Sequence, residues 1–276
     1  MVMNTPMGES DVAIVMSNDR VYLKHKDGVT EIKFSSNIAA PYALSMNGRP
    51  VYFCEEFDLR DGFFILTEHE NGYNAMLVDS EYKTHTVVSG VESFEVSGEH
   101  VLYSKDGELY AAKINIKELS ISAKNKISKS DDHKGVMFSG NYVYFTDKDD
   151  NLYRYNVEET EVAKIASNVA YFACTDDGEE VYFIIDAQGE SVRYGTLFRA
   201  VDGETNERLA SNVIIDSVTS NLLTGVLDAR SIWYEVYATD VDEGYKFHCY
   251  FFDGKKSSGI INNITAKSHP SETEEV

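Results

Sequence analysis

Apolar and polar positions alternate in short bursts along most of this chain, and the bursts are rich in β-branched and aromatic residues. Val143-Tyr144-Phe145-Thr146, Val181-Tyr182-Phe183-Ile184-Ile185 and Ser231-Ile232-Trp233-Tyr234 read as strands. Turn dipeptides separate them: Asp-Gly begins at Asp27, Asp61, Asp106, Asp177, Asp202 and Asp253, and Asn-Gly at Asn47 and Asn71. Eight of the 18 glycines thus follow Asp or Asn, the pairing that tolerates positive φ at both centres of a tight hairpin. No helical periodicity persists beyond two turns. Ile114 to Ile121 comes nearest, and its alternation Ile114, Ile116, Leu119, Ile121 suits a strand equally well. The chain reads as nearly all β.

The turns recur. Ser36-Asn37-Ile38, Ser89-Gly90-Val91, Ser167-Asn168-Val169, Ser211-Asn212-Val213 and Asn262-Asn263-Ile264 look like one marker that ends a unit, with a degenerate copy near Ile127-Ser128-Lys129. From Ile38 to Ile264 is 226 residues, or five units averaging 45, the period of a four-stranded propeller blade. The clearest unit predicts strands at Val136–Ser139, Tyr142–Thr146, Leu152–Asn156 and Val162–Ala166. The next predicts Tyr171–Cys174, Val181–Asp186, Thr196–Val201 and Glu207–Ala210. So small a sheet cannot bury both faces alone, and its neighbours must cover it. The expected fold is an all-β propeller of six blades, each of four antiparallel strands, with seven blades as the alternative.

The first 91 residues allow two parses. In one, Tyr42 to Ser45 is the inner strand of the second blade. The first blade then holds Val12–Met16, Val21–Lys26 and Val29–Phe34 and takes a closing strand from around Ile260–Lys267. In the other, Tyr42 to Ser45 is the outer strand of a complete first blade and Val51–Glu55 opens the second; its more even unit lengths favour it. Residues 1–10 form an N-terminal extension, 11–268 a single propeller domain, and 269–276 an acidic flexible tail.

Tyr144-Phe145-Thr146-Asp147, followed by Leu152-Tyr153-Arg154, resembles the YWTD repeat of six-bladed propellers, with Phe145 in place of the Trp. Val181-Tyr182-Phe183 with Leu197-Phe198-Arg199, and Val101-Leu102-Tyr103 with Leu109-Tyr110, are weaker echoes. The chain is also similar to bacterial surface propellers that pair a Tyr-rich strand with a Leu-Tyr-Arg strand. The resemblance implies the fold and is weak for function. Most units lack the Thr-Asp pair, so the family's hydrogen bonding between blades is not expected throughout.

Composition narrows the partners. The 276 residues are 43 % apolar, which argues against disorder. With 46 acidic against 25 basic side chains the net charge is −21, which repels phosphate backbones and excludes most nucleic-acid roles. No apolar run approaches the roughly 20 residues of a bilayer-spanning helix, so no membrane insertion is expected of this chain. Cys54, Cys174 and Cys249 are odd in number, far apart and embedded in aromatic stretches, and read as buried inert thiols. Met1 to Ser10 lacks the basic start and apolar core of a signal peptide. The location expected is cytoplasmic as read, or extracytoplasmic if a leader or anchor precedes Met1.

Catalytic motifs are missing: no G-x-S-x-G, H-E-x-x-H or phosphate-binding glycine loop occurs. In Glu68-His69-Glu70 the carboxylates point to the face opposite His69 if the segment is a strand. Asp147, Asp149, Asn151 and Glu158 fall at positions 1, 3, 5 and 12 of a calcium loop, but Leu152 occupies the position that requires Gly. No cofactor is expected, with calcium at those four residues as the outside possibility. In the four-strand parse the connections between second and third strands share one rim. They bring Lys105-Asp106, Asp147 to Asn151, Ala187 to Tyr194 and Asp240 to Glu243 together with part of Glu55 to Asp61. Candidate binding residues there are Arg60, Asp147, Asp149, Asp150, Arg193, Tyr194, Asp240 and Asp242, with Tyr234, Tyr237 and Tyr245 supplying amphipathic contact area.

The leading expectation is a non-catalytic binding module that recognises a protein, peptide or glycan. The alternatives are a hydrolase or lyase with paired carboxylates at the mouth of the central channel, and the sensor ectodomain of a membrane-anchored protein.

Overall fold

The computed structural model describes residues 2–3, 13–17, 19–25, 28–38, 45–46, 49–50, 63–79, 81–97, 99–115, 117–122, 125–128, 133–190, 192–203, 205–218, 231–241 and 244–267. Among them there is no α-helix, and hence no helix long and apolar enough to cross a membrane. The fold is all-β, built from antiparallel meanders of the propeller-blade type. By its internal contacts the chain divides into two units, Met1–Asp131 and Asp132–Val276.

The first unit begins with the sheet β1 (Val2–Met3), β2 (Ala13–Ser17), β3 (Arg20–His25) and β4 (Gly28–Lys33), in that order. A short hairpin follows, β5 (Ser45–Met46) and β6 (Arg49–Pro50). Next come the sheet β7 (Phe63–His69), β8 (Gly72–Val78) and β9 (Thr84–Val91), and the meander β10 (Ser93–Ser97), β11 (His100–Lys105) and β12 (Glu108–Asn115). Two short strands, β13 (Ser120–Ile121) and β14 (Asn125–Ser128), pair with β12. The second unit holds β15 (His133–Ser139), β16 (Tyr142–Asp147), β17 (Leu152–Asn156) and β18 (Glu161–Ala166) as one sheet. After it run β19 (Val169–Cys174), β20 (Glu180–Gln188), β21 (Tyr194–Val201) and β22 (Thr205–Ile214), a 3-10 turn at Ile215–Ser217, then β23 (Ile232–Val241), β24 (Gly244–Phe252) and β25 (Ser257–Lys267).

Both units stack their sheets face to face. In the first, Phe64, Leu66, Ala75 and Leu77 of the β7–β9 sheet meet Phe94, Val96, Val101 and Tyr103 of the next. The other face of β7–β9 presents Ile65, Met76 and Val78 to Val21, Ile32, Phe34 and Ile38. In the second unit, Tyr144, Leu152 and Ile165 meet Cys174, Val181 and Phe183. Tyr182, Ile184 and Leu197 then turn the opposite way, onto Ile215, Val218, Ile232, Tyr234 and Phe252. With both faces covered, β20 is buried from Glu180 through Ile184, which is why it reads as a continuous apolar run rather than an alternation.

The marker has a physical basis. Gly90, Asn168, Asn212 and Asn263 all have positive φ, between 55° and 69°. Three of them fall where the pairing skips a residue: Tyr73 and Asn74 face Val91 and Ser89, Gly195 and Leu197 face Val213 and Ala210, and Phe247 and Cys249 face Ile264 and Ile261. The marker is therefore a bulge on the outer strand whose left-handed residue suits Asn or Gly. The residue after it enters the core between sheets at Val91, Val169 and Val213. Beyond Asn212 the chain pairs with the following sheet, Val213 opposite Val236, so the seven-stranded array β19–β25 is two meanders joined by one crossing segment.

The three first-blade strands of the first parse appear as β2, β3 and β4, but the closing strand does not come from Ile260–Lys267. The fourth strand of the first sheet is β1, paired with β2 through Val2 opposite Val15 and Met3 opposite Ile14. The segment 257–267 instead pairs with β24. Ser45 lies in β5, which runs parallel to β10 opposite Glu95 rather than closing the first sheet. Tyr42 to Leu44 and Val51 to Glu55 lie outside the described residues.

Candidate functional site

Within the second unit the β16–β17, β20–β21 and β23–β24 connections occupy equivalent places in three successive sheets and define one rim. Two crossings are tied to it alike. The Val169 amide donates to the Asp150 carbonyl at 2.9 Å, and the Ile215 amide to the Arg193 carbonyl at 3.0 Å. Asp150 and Arg193 thus hold the crossing chain with their backbones and leave their side chains exposed.

Asp147 organises its own hairpin. Its Oδ1 accepts from the amides of Asp149 and Asn151, both at 2.9 Å, while Oδ2 accepts from Asn151 Nδ2 and the Tyr153 hydroxyl. Burial pushes this carboxyl up, but the hydrogen bonds outweigh it and hold it below the ordinary carboxylate value. Asp150 pairs with Lys134 at 2.9 Å. Glu158 lies past the far end of β17, a strand of five residues or about 17 Å. The four calcium-loop positions are not brought together, because the extended strand separates what a compact 12-residue loop would gather. Among the described residues no group of three or more His, Cys, Asp or Glu side chains is placed to hold a metal.

The tyrosines separate into two classes. Tyr234 is buried and stacks on Tyr250 as part of sheet packing. Tyr194, the first residue of β21, stacks on Tyr237 of β23 with centroids 4.4 Å apart and planes 6° apart. Tyr245 lies 6.4 Å from Tyr237, tilted by 33°, and Phe247 continues the row at 5.8 Å. Tyr194, Tyr237 and Tyr245 are all partly exposed. The Tyr237 hydroxyl hydrogen-bonds the Asp240 carboxylate, and burial together with that contact raises its pKa. Glu235, two residues earlier on β23, is raised by burial, and its charge reaches Tyr245 and Cys249. The structure therefore brings Arg193, Tyr194 and Asp240 close to one another around a row of rings. Asp147, Asp149 and Asp150 lie at the neighbouring hairpin; Arg60 and Asp242 lie outside the described residues.

Glu68 and His69 serve local structure: Asn37 Nδ2 donates to Glu68 at 3.1 Å, and the Asn71 amide donates to His69 Nδ1 at 3.2 Å. His248 Nδ1 likewise accepts the Asn263 amide at the bulge of β25.

Two features escape a reading of local sequence. Glu180 is fully buried and receives a two-pronged hydrogen bond from Arg199, Nη2 to Oε1 at 2.7 Å and Nε to Oε2 at 2.8 Å, with the Tyr182 hydroxyl adding a third donor. Arg199 Nη1 also reaches the Gly254 carbonyl of the next sheet at 3.3 Å. The preceding sheet carries an equivalent. Arg154 lies over Tyr142 at 3.9 Å and fills the space that a Cβ on Gly203 would need. The arginine of each Leu-aromatic-Arg strand thus reaches the Asp-Gly turn of the following sheet. The second feature is Glu95 on β10, whose carboxyl burial pushes up to about 7.

No family model matches the chain, and no curated protein matches its sequence. Among solved structures it is similar to the N-terminal domain of Nup159, at 14 % identity and a TM-score of 0.39, over 72 % of this chain and 58 % of that one. It thus spans less than two thirds of that domain. The β-propeller domain of the Trilobed protease from Pyrococcus furiosus is similar at 12 % identity and a TM-score of 0.45, over 72 % of this chain and 67 % of that one. An oligogalacturonate lyase in complex with manganese is similar at 12 % identity and 0.47, over 88 % and 70 %. Likeness at this level carries no activity across.

Proposed function

We propose that the protein is a non-catalytic recognition module, a propeller of six blades whose second-unit rim contacts a protein, peptide or glycan. The observation that supports this reading is the row Tyr194, Tyr237 and Tyr245. Tyr194 stacks on Tyr237, Tyr245 lies tilted beside them, and part of each ring stays in solvent next to the exposed Asp240. Rigid, half-exposed aromatic surface with polar tips is what interface hot spots are made of. The bonds inside the Asp147 hairpin and from the crossing strands to Asp150 and Arg193 fix the rim in advance, which lowers the entropy cost of binding.

The test is to probe the immobilised chain with peptide and glycan arrays, as wild type and as Tyr237→Ala, with melting curves for both. Ligands held by the wild type and weakened roughly tenfold or more in a variant of unchanged melting support the reading. Retention of nothing, or equal retention by both proteins, overturns it. A hydrolase or lyase is the second reading, favoured by Glu95, since a carboxyl with a pKa near 7 is the kind a general acid uses. Turnover of a glycoside or uronide substrate that Glu95→Gln abolishes would establish it in place of the first.

A further inference from the structure

Resting on the reading of this rim as a contact face, we infer that it takes a cation: the guanidinium or ammonium of an arginine or lysine on a peptide partner, seated on Tyr237 and Tyr245 between Asp240 and Glu235. The rings come first. An aromatic face carries negative potential, and a cation within about 6 Å of a ring centroid is attracted to it. Tyr194 already covers one face of Tyr237, so the exposed parts of Tyr237 and Tyr245 are what the rim offers a ligand. The carboxylates come second. Asp240 is exposed and receives one hydrogen bond from the Tyr237 hydroxyl, which leaves lone pairs for a further N–H donor. Glu235 shares the Tyr237 face of β23 by the two-residue period of a strand, and among the described residues no cation is paired with it. Its raised pKa reflects that desolvation, which an incoming cation would relieve.

The basic groups nearby do not fill the place. Lys246 alternates with Tyr245 and Phe247 along β24 and leaves on the opposite face. Arg193 is exposed and is anchored through its carbonyl rather than by a carboxylate. Asp186 and Glu190, both exposed on the β20–β21 side, add to the negative field, and the net charge of −21 speeds encounter with a cationic segment. A phosphorylated or acidic peptide would meet repulsion here.

The experiment is calorimetric titration of the full chain, at physiological salt, with short Gly/Ser peptides carrying spaced arginines, spaced lysines, spaced glutamates or no charge. The expected order is arginine above lysine, both at least about tenfold tighter than the neutral peptide, with no binding of the acidic one. Tyr237→Leu keeps the bulk and removes the ring, and is expected to weaken the arginine peptide about fivefold. Asp240→Asn is expected to weaken it about threefold while leaving the melting temperature unchanged. Equal affinity in wild type and both variants would mean that only the overall charge is felt, and would overturn the inference. Binding of the neutral peptide or a glycan through Tyr237, with no gain from arginine, would overturn the cation and leave the recognition module standing. No binding by any peptide or glycan would remove both.

Discussion

Replacing Arg199 by Leu isolates a buried ion pair of the second unit. The Glu180 carboxylate is fully buried, and its donors include Arg199 Nη2 and Nε and the Tyr182 hydroxyl at 3.1 Å. Without the guanidinium the buried carboxylate loses its cationic partner and two hydrogen bonds. Breaking a buried pair from one side costs about 3–5 kcal/mol, because the remaining charge has lost its solvent and its partner. The Nη1 bond to the Gly254 carbonyl adds about 1 kcal/mol, and the guanidinium over Phe252, 5.6 Å away, adds less. A unit of this size is stable by roughly 5–15 kcal/mol in total, so Arg199→Leu should bring it close to unfolding. Glu180→Leu should cost a similar amount for the complementary reason. The double variant replaces the pair with apolar bulk against Tyr182 and Phe252 and should be less destabilised than either single variant. Urea unfolding of the four proteins, followed by circular dichroism, measures all three differences. If each single change costs under about 1 kcal/mol, or the double change costs the sum of the two, the pair is not coupled and the reasoning fails.

The Asp-Gly turns give a second test. Gly203 has φ near +75°, and a Cβ there would stand 2.8 Å from Arg154 Nη1; Gly203→Ala should lower stability by about 1–2 kcal/mol, and an unchanged melting temperature would refute the contact. Asn212 at φ 57° predicts that Asn212→Gly is nearly neutral while Asn212→Val costs about 1–2 kcal/mol; equal effects in urea unfolding would remove the bulge argument. Glu95 holds its proton up to about pH 7 when folded and to about 4.5 when unfolded. Its raised pKa means a contribution fully present below pH 4.5 and lost as pH rises through 7. From this group alone the first unit should be up to about 3 kcal/mol weaker at pH 8 than at pH 4, and Glu95→Gln should flatten that slope in a pH series of unfolding midpoints. A Glu95→Gln effect independent of pH would contradict it. Asp147 runs the other way: its depressed pKa contributes stability present above the ordinary carboxylate value and lost as pH falls through the folded one. Asp147→Ala should therefore cost about 1–2 kcal/mol at neutral pH, with the gap to wild type closing in acid; a gap that persists in acid would count against the hairpin bonds as its source.

What the sequence discloses, and what it hides, follows from the range of the interactions. The strands of residues 133–214 are legible because runs such as Val181 to Ile184, covered on both faces, stay apolar, and because the hairpins carry their turn chemistry in adjacent residues. The marker is legible for a related reason. A left-handed residue is followed by a buried one at both crossings, so Asn168-Val169 and Asn212-Val213 repeat, as does the Leu-aromatic-Arg strand before each of them. The first sheet hides its completion. The strand that joins its edge, Val2–Met3, is two residues long and has no turn next to it to announce a partner. Asp147, Asp149, Asn151 and Glu158 have the spacing of a calcium loop, but the strand Leu152–Asn156 stands between the first three and the last.

The same distinction explains why the candidate site was half visible. Asp147, Arg193 and Asp240 were legible as connections between second and third strands, since hairpin ends can be counted along the chain. The stacking of Tyr194 on Tyr237 is not, because those rings come from the two meanders of one seven-stranded sheet, which join through Val213 opposite Val236. Glu180 and Arg199 lie 19 positions apart, yet their pairing depends on register, Tyr182 opposite Arg199 in the β20–β21 ladder, which sets the arginine diagonally across from the carboxylate on the same face. A repeat fold writes its scaffold into every unit, because each unit must satisfy the same stacking requirement. Its function is written where the units differ, in the side chains that one crossing brings side by side. In this chain Tyr194 and Tyr237 meet in that way, each ring partly in solvent.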